Sequence, residues 1–94
     1  MKIQQREMGS KGFFFIEENG ERLAEMTYSK AGDDKIIIDH THVDDKLRGK
    51  GAGKQLVSAA VDYARAKNIR IIPLCTFAKS VFDKVKEFQA VLSV

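Results

Sequence analysis

The sequence predicts an α+β fold, an antiparallel β-meander followed by a β-α-β-α unit, with helices packed on one mixed sheet. Three observations carry this expectation. Asn19-Gly20 lies between two strand-like runs and is the strongest two-residue hairpin signal in the chain. Beyond residue 53 the apolar period lengthens from two to about 3.6, with Leu56, Val57, Ala60, Val61, Tyr63 and Ala64 recurring at helical spacing. A β-branched run, Ile69 to Leu74, then returns, and a strand reached through a helix lies parallel to the strand before it.

The elements follow in order. Met1 to Glu7 alternates weakly and is expected to be a first strand, and Gly9-Ser10-Lys11-Gly12 a turn. Phe13 to Glu17 is aromatic and β-branched and forms the second strand. The third runs from Glu21 to Ser29, with Ala24, Met26 and Tyr28 on one face and Leu23, Glu25, Thr27 and Ser29 on the other. Gly32-Asp33-Asp34 turns the chain into a fourth strand, Lys35 to Val43. Lys54 to Lys67 forms the first helix, which Asn68 stops. After the Ile69–Leu74 strand, Thr76 is the expected N-cap of a second helix carrying Phe77, Val81, Phe82 and Val85. The apolar tail, Phe88 to Val94, is expected to be a short strand or a docked extension.

Ninety-four residues make one small domain, 1–94, that buries roughly 60–70% of its unfolded surface. The formal charge of +3 and the isoelectric point near 9.1 suit an anionic ligand. Nucleic acid is disfavoured, because the basic residues are spread along the chain with no interleaved stacking aromatics. No apolar run approaches membrane-spanning length, and the N-terminus has no apolar signal region. The one cysteine, Cys75, excludes an internal disulfide, and the expected compartment is the reducing cytoplasm.

Leu47-Arg48-Gly49-Lys50-Gly51-Ala52-Gly53-Lys54 joins the fourth strand to the first helix. A glycine-rich turn there leaves backbone N–H groups uncovered at the positive end of the helix dipole, a natural anion site. Arg48, Lys50 and Lys54 add charge, so a phosphate or pyrophosphate is the expected ligand. The spacing fails the P-loop, because Arg48 stands where its first glycine belongs and Gln55 follows Lys54. It also fails the dinucleotide fingerprint, whose third glycine would fall on Lys54 or Leu56. Arg48-x-x-Gly51-x-Gly53 instead resembles the coenzyme A pyrophosphate signature of the GNAT superfamily, the acetyl-coenzyme A-dependent N-acetyltransferases. A turn serving only to close the strand–helix connection is the alternative, but it would not need three basic side chains.

Cys75 lies where the Ile69–Leu74 strand gives way to the second helix. A helix N-terminus stabilises a thiolate, so Cys75 is a candidate nucleophile for an acetyl group; a small buried apolar residue is the competing reading. His40 and His42 share a strand face, and either is a candidate general base. With Cys75 they lack a fourth ligand, so no metal site is expected. Asp39, Asp44 and Asp45 read as solvent-facing or as capping the turn, and Lys84 as solvated. Lys79, one turn from Cys75, is a candidate contact for an anionic cofactor; Phe77 is weighed both as a core residue and as a cofactor contact.

Together, His40-Thr41-His42-Val43, the Arg48–Gly53 turn and Pro73-Leu74-Cys75 resemble a minimal GNAT-like family with a His-Thr-x-Val strand end, an R-G-x-G-x-[GA] turn and a P-x-C strand end. The resemblance implies a GNAT-like core that binds acetyl-coenzyme A. Val43 would pair with the pantetheine amides, and Arg48, Gly49, Lys50, Gly51, Ala52, Gly53 and Lys54 would cradle the pyrophosphate. It favours His40 over His42 and a functional Cys75, through a covalent acetyl-cysteine or through thiol assistance to direct transfer. Full-size GNAT enzymes carry further helices and strands around the acceptor, which this chain is expected to lack. Acetylation of an amine, on a small molecule or a protein, is therefore inherited by analogy. A non-catalytic coenzyme A-binding or sensing module is the alternative.

Overall fold

The computed structural model describes residues 1–93. The strands are β1 (Gln4–Met8), β2 (Lys11–Glu18), β3 (Glu21–Lys30), β4 (Lys35–Val43) and β5 (Arg70–Pro73); the helices are α1 (Ala52–Lys67) and α2 (Thr76–Lys84). Short 3₁₀ turns cover Asp45–Leu47 and Lys86–Val91. One sheet holds the five strands in sequence order, the first four antiparallel and β5 parallel to β4. The α+β expectation is met. The tail beyond the second 3₁₀ turn lies along β5, where Leu92 bridges Ile71 and the Ser93 N–H donates to the Ile71 carbonyl at 2.9 Å.

Turn chemistry sets the meander. Asn19 and Gly20 are both left-handed, at φ 54° and 78°, the conformation that a tight hairpin between right-twisted strands demands. The β1–β2 turn is shorter than its composition suggests: only Gly9-Ser10 turn, and β2 begins at Lys11. Gly12 is a strand residue because Tyr28 crosses it; a Cβ there would lie 2.4 Å from the Tyr28 ring. The first strand is also displaced from Met1–Glu7 to Gln4–Met8.

Both helices pack on one face of the sheet. Phe14, Ile16, Ala24, Met26, Tyr28, Ile36 and Ile38 rise from the strands to meet Leu56, Val57, Ala60, Val61 and Ala64 of α1 and Ala78, Val81 and Phe82 of α2. Among the described residues, no helix covers the opposite face. Phe15 is nonetheless fully buried there, because Arg22 lies 4.5 Å and Arg6 5.5 Å above its ring, with Arg22 held by Glu17 and Glu25 at 3.1 and 2.8 Å. The guanidinium stems do part of the work of a missing layer.

The edge strand β1 is fastened to α1 through one carboxylate. The Tyr28 and Tyr63 hydroxyls both donate to Glu7 Oε2 at 2.6 Å, and Lys30 Nζ lies 3.0 Å from Oε1. Burial alone would push the Glu7 carboxyl up, but these hydrogen bonds and the lysine charge outweigh it and hold the carboxyl at about 2. A carboxylate lowered in the folded state stabilises the fold above its ordinary value of 4.5 and loses that contribution as pH falls toward 2. Glu7→Gln should therefore lower stability at neutral pH and flatten its decline between pH 4.5 and 2. Chemical denaturation at stepped pH checks this; a variant with the wild-type acid slope would contradict it.

Candidate functional site

One unpaired residue in β4 shapes the site. Thr27 pairs with His40 and Tyr28 with Ile38, so Asp39 has no partner on β3 and forms a bulge. Ile38 points into the core, while Asp39 and His40 both turn to the open face, where the Ser29 hydroxyl donates to Asp39 at 3.0 Å. Alternation resumes from there. Thr41 and Val43 now face the helices beside Met26 and Ala24, and His42 returns to the open face opposite Glu25. The same bulge separates β4 from β5. Their pairing ends at Ile38–Pro73, the Leu74 and Cys75 N–H groups both reach back to the Ile38 carbonyl at 3.1 and 3.2 Å, and β4 continues to Val43 paired only with β3.

Cys75 stands at the mouth of this gap. It is itself the N-cap of α2, at φ −69° and ψ 126°, so Thr76 is the first helical residue rather than the cap. Its Sγ donates to Thr41 Oγ1 at 3.3 Å. Burial pushes the thiol up, but hydrogen bonds from the Thr41 hydroxyl, the Ala78 and Phe77 N–H groups and the Thr41 backbone stabilise the thiolate more, and the net direction is below the ordinary cysteine value. His40 and His42 do not join this group. The bulge that brings Thr41 to the thiol sends both histidines, exposed, to the opposite face.

The glycine-rich turn forms the other end of the site. Gly49 and Gly51 are left-handed, at φ 78° and 73°, and Gly51 is the N-cap of α1, which begins at Ala52 rather than Lys54. Among the described residues, no side chain caps this helix; its first turn holds no acidic residue, and its first intrahelical bond runs from the Gln55 N–H to the Gly51 carbonyl. Among the described residues, the N–H groups of Ala52, Gly53 and Lys54 have no partner. Gly53 is required because the Phe77 ring lies on it; a Cβ would sit 2.4 Å from Phe77 Cζ. Phe77 is thus a 41% exposed wall residue and not part of the core.

Against the turn and α2 lies a cleft of about 460 Å³, reached by Val43, Arg48, Gly49, Gly51, Ala52, Gly53, Lys54 and Phe77; Cys75, Thr41, His40 and His42 are not in its lining. Arg48 is exposed and pairs with Asp45 at 2.5 Å. Lys50 and Lys79 are exposed and lie off the cleft wall, Lys79 on a different side of α2. The sequence reading missed Asp44, Leu47, Ser80, Val81, Lys84 and Val85, which complete the lining. A signal was there: positions 77, 80, 81, 84 and 85 fall on one helical stripe. It overlaps the buried stripe at Val81, and spacing cannot distinguish a wall from a core. Among the described residues, no group of three or more His, Cys, Asp or Glu is placed to hold a metal ion.

The Thr41 hydroxyl should be the side-chain control on thiol reactivity. Thr41→Val should move the pH midpoint of Cys75 alkylation by iodoacetamide upward, and Thr41→Ser should restore it, with thermal stability checked in parallel. An unchanged midpoint in the valine variant would show that the hydroxyl does not act on the thiolate.

The family described as GCN5-related N-acetyl-transferase matches residues 13–91. A GCN5-like candidate N-acetyltransferase of Staphylococcus aureus is 39% identical, with a TM-score of 0.71 over 96% of this chain and 87% of that one. Two more distant structures share the fold. A candidate acetyltransferase of Clostridium acetobutylicum solved with acetyl-CoA is 19% identical, with a TM-score of 0.65 over 80% of this chain and 56% of that one. An aminoglycoside N-acetyltransferase in complex with CoA is 15% identical, with a TM-score of 0.63 over 88% of each. No curated protein matches at a significant level. An uncapped helix N-terminus beside two parting strands, a family match over most of the chain and a 39% identical relative lead to one conclusion: the chain belongs to the GCN5-related N-acetyltransferase family.

Proposed function

We propose that the protein binds acetyl-coenzyme A in the cleft and transfers its acetyl group to an amine acceptor. The observation that carries the reading is the pairing of two unsatisfied backbone surfaces along one cleft. The uncapped N-terminus of α1 offers N–H groups to a pyrophosphate. The β4 segment past Ile38, unpaired with β5, offers strand-like hydrogen bonds to the pantetheine amides at Val43. The solved relatives that hold acetyl-CoA or CoA support the choice of ligand.

In this reading Arg48, Lys54 and the backbone of Gly49 to Gly53 hold the pyrophosphate. Lys50 contributes only long-range charge, and Lys79 would reach the cofactor only from outside the cleft wall. The thioester arm runs along β4 toward Cys75, and Phe77 flanks it. Cys75 either takes the acetyl group, with the coenzyme thiolate leaving, or adjoins it during direct attack by the amine. The lowered thiol and the Thr41 contact favour the first route. His40 lies on the far sheet face, so as a base it would serve only an acceptor entering the gap from that side.

Arg48→Glu sets a carboxylate beside the pyrophosphate and should weaken acetyl-coenzyme A binding at least tenfold by calorimetry, about 1.4 kcal/mol. Unchanged affinity would remove the anion site from the turn. Cys75→Ala should fold and bind normally, yet lose the acetyl adduct (+42 Da, roughly, the mass of one acetyl group replacing hydrogen) seen by intact mass and lose turnover. Full activity in this variant would reduce Cys75 to packing. Binding without adduct or turnover in the wild type would favour a coenzyme A-binding module.

A further inference from the structure

The cleft does not end at the pyrophosphate position. Its second wall is one side of α2, from Phe77 through Ser80 and Val81 to Lys84 and Val85. Phe77 rests on Gly53 at the start of α1, and Lys84 lies seven residues farther along the helix, on the order of 10 Å in rise. The charge along this wall is lopsided. Among the described residues, neither Lys54 nor Lys84 has an ion-pair partner, whereas Arg48 is engaged by Asp45. The acidic residue in the lining, Asp44, has its carboxylate turned to the Lys46 N–H at 2.9 Å. Lys84 is exposed and ends the stripe, so it presents an uncommitted cation to whatever extends past Phe77.

A pyrophosphate at the α1 N-terminus uses the backbone donors there and leaves Lys84 unused. A ligand that extends along this wall past Phe77 meets Lys84, which favours a second anionic group beyond the pyrophosphate, and a nucleotide half with its own phosphomonoester has one. We propose that Lys84 is a second phosphate contact, taking the ribose phosphomonoester of the coenzyme, and that it sets discrimination between coenzyme A and 3′-dephospho-coenzyme A. This rests on the cofactor reading above. It adds a subsite on α2 to the site on α1, with Ser80 and Val85 as its neighbours on the wall.

The test is a pair of calorimetric titrations, coenzyme A and 3′-dephospho-coenzyme A, on the full chain and on Lys84→Ala, Lys84→Arg and the remote charge control Lys67→Ala. The wild type should prefer coenzyme A about tenfold, a preference that shrinks with added salt. Lys84→Ala should bring the ratio near one by weakening coenzyme A alone, Lys84→Arg should restore it, and Lys67→Ala should leave it intact. Lys84 is exposed, so thermal unfolding should be unchanged and folding loss is read separately. Equal affinities in the wild type, or an equal loss for both ligands in Lys84→Ala, would overturn the subsite while leaving the pyrophosphate site standing. Failure of the wild type to bind either ligand would overturn the cofactor reading and the subsite together.

Discussion

Asp39 has no partner on β3, and the candidate site depends on that mismatch. A bulge changes which residues face inward and bends the strand that carries it. Here Ile38 closes the core, Thr41 and Val43 take up the helix-facing positions beyond it, and β4 leaves β5 after Pro73. A regular β4 would bury the 36-38-40 series, turn Thr41 away from Cys75, and leave β5 free to keep pairing. The thiol would then face a closed sheet. The single inserted residue thus determines both the opening and the side chains that line it.

The second constraint is electrostatic and lies in backbone atoms. A helix that begins without a capping side chain or an acidic first turn leaves its first donors unsatisfied, at a cost a native fold bears where a ligand or water meets them. Gly49 and Gly51 make this arrangement possible by their left-handed conformation, and Gly53 by admitting the Phe77 ring against the helix. The two helices thereby meet at Phe77 and Gly53 along the wall of the cleft. The small core tolerates the opening because its fasteners lie elsewhere. Glu7 ties β1 to β3 through Tyr28 and to α1 through Tyr63, and Arg22 and Arg6 cover Phe15 on the opposite face.

The chemistry divides along the sheet. Cys75, Thr41, the turn and α2 lie on the helix side; His40, His42 and Asp39 lie on the open side. In the proposed reading the coenzyme would lie on the helix side, and an acceptor would approach from the open side. The exposed Leu74, next to Cys75, gives the gap an apolar lip.

The sequence by itself determined the elements whose signals are local. Asn19-Gly20 turned where it was expected, the α1 stripe packed as its spacing required, and the glycine-rich turn fell at a helix N-terminus because its composition and position allow little else. Family membership was legible in three short motifs for the same reason, since each is a contiguous backbone feature. Tertiary structure decided the rest. Nothing in Asp39-His40-Thr41 announces a bulge, because a bulge is a relation between two strands; without it, His40 reads as within reach of the reacting group and Thr41 has no assigned contact. Lys84 reads as solvated until α2 is placed along the cleft, and Phe77 as core until Gly53 lies beneath it. Periodicity says that a residue lies on a stripe. Which stripe meets a core and which borders a cleft depends on where the neighbouring element packs, and that is fixed only when the chain closes on itself.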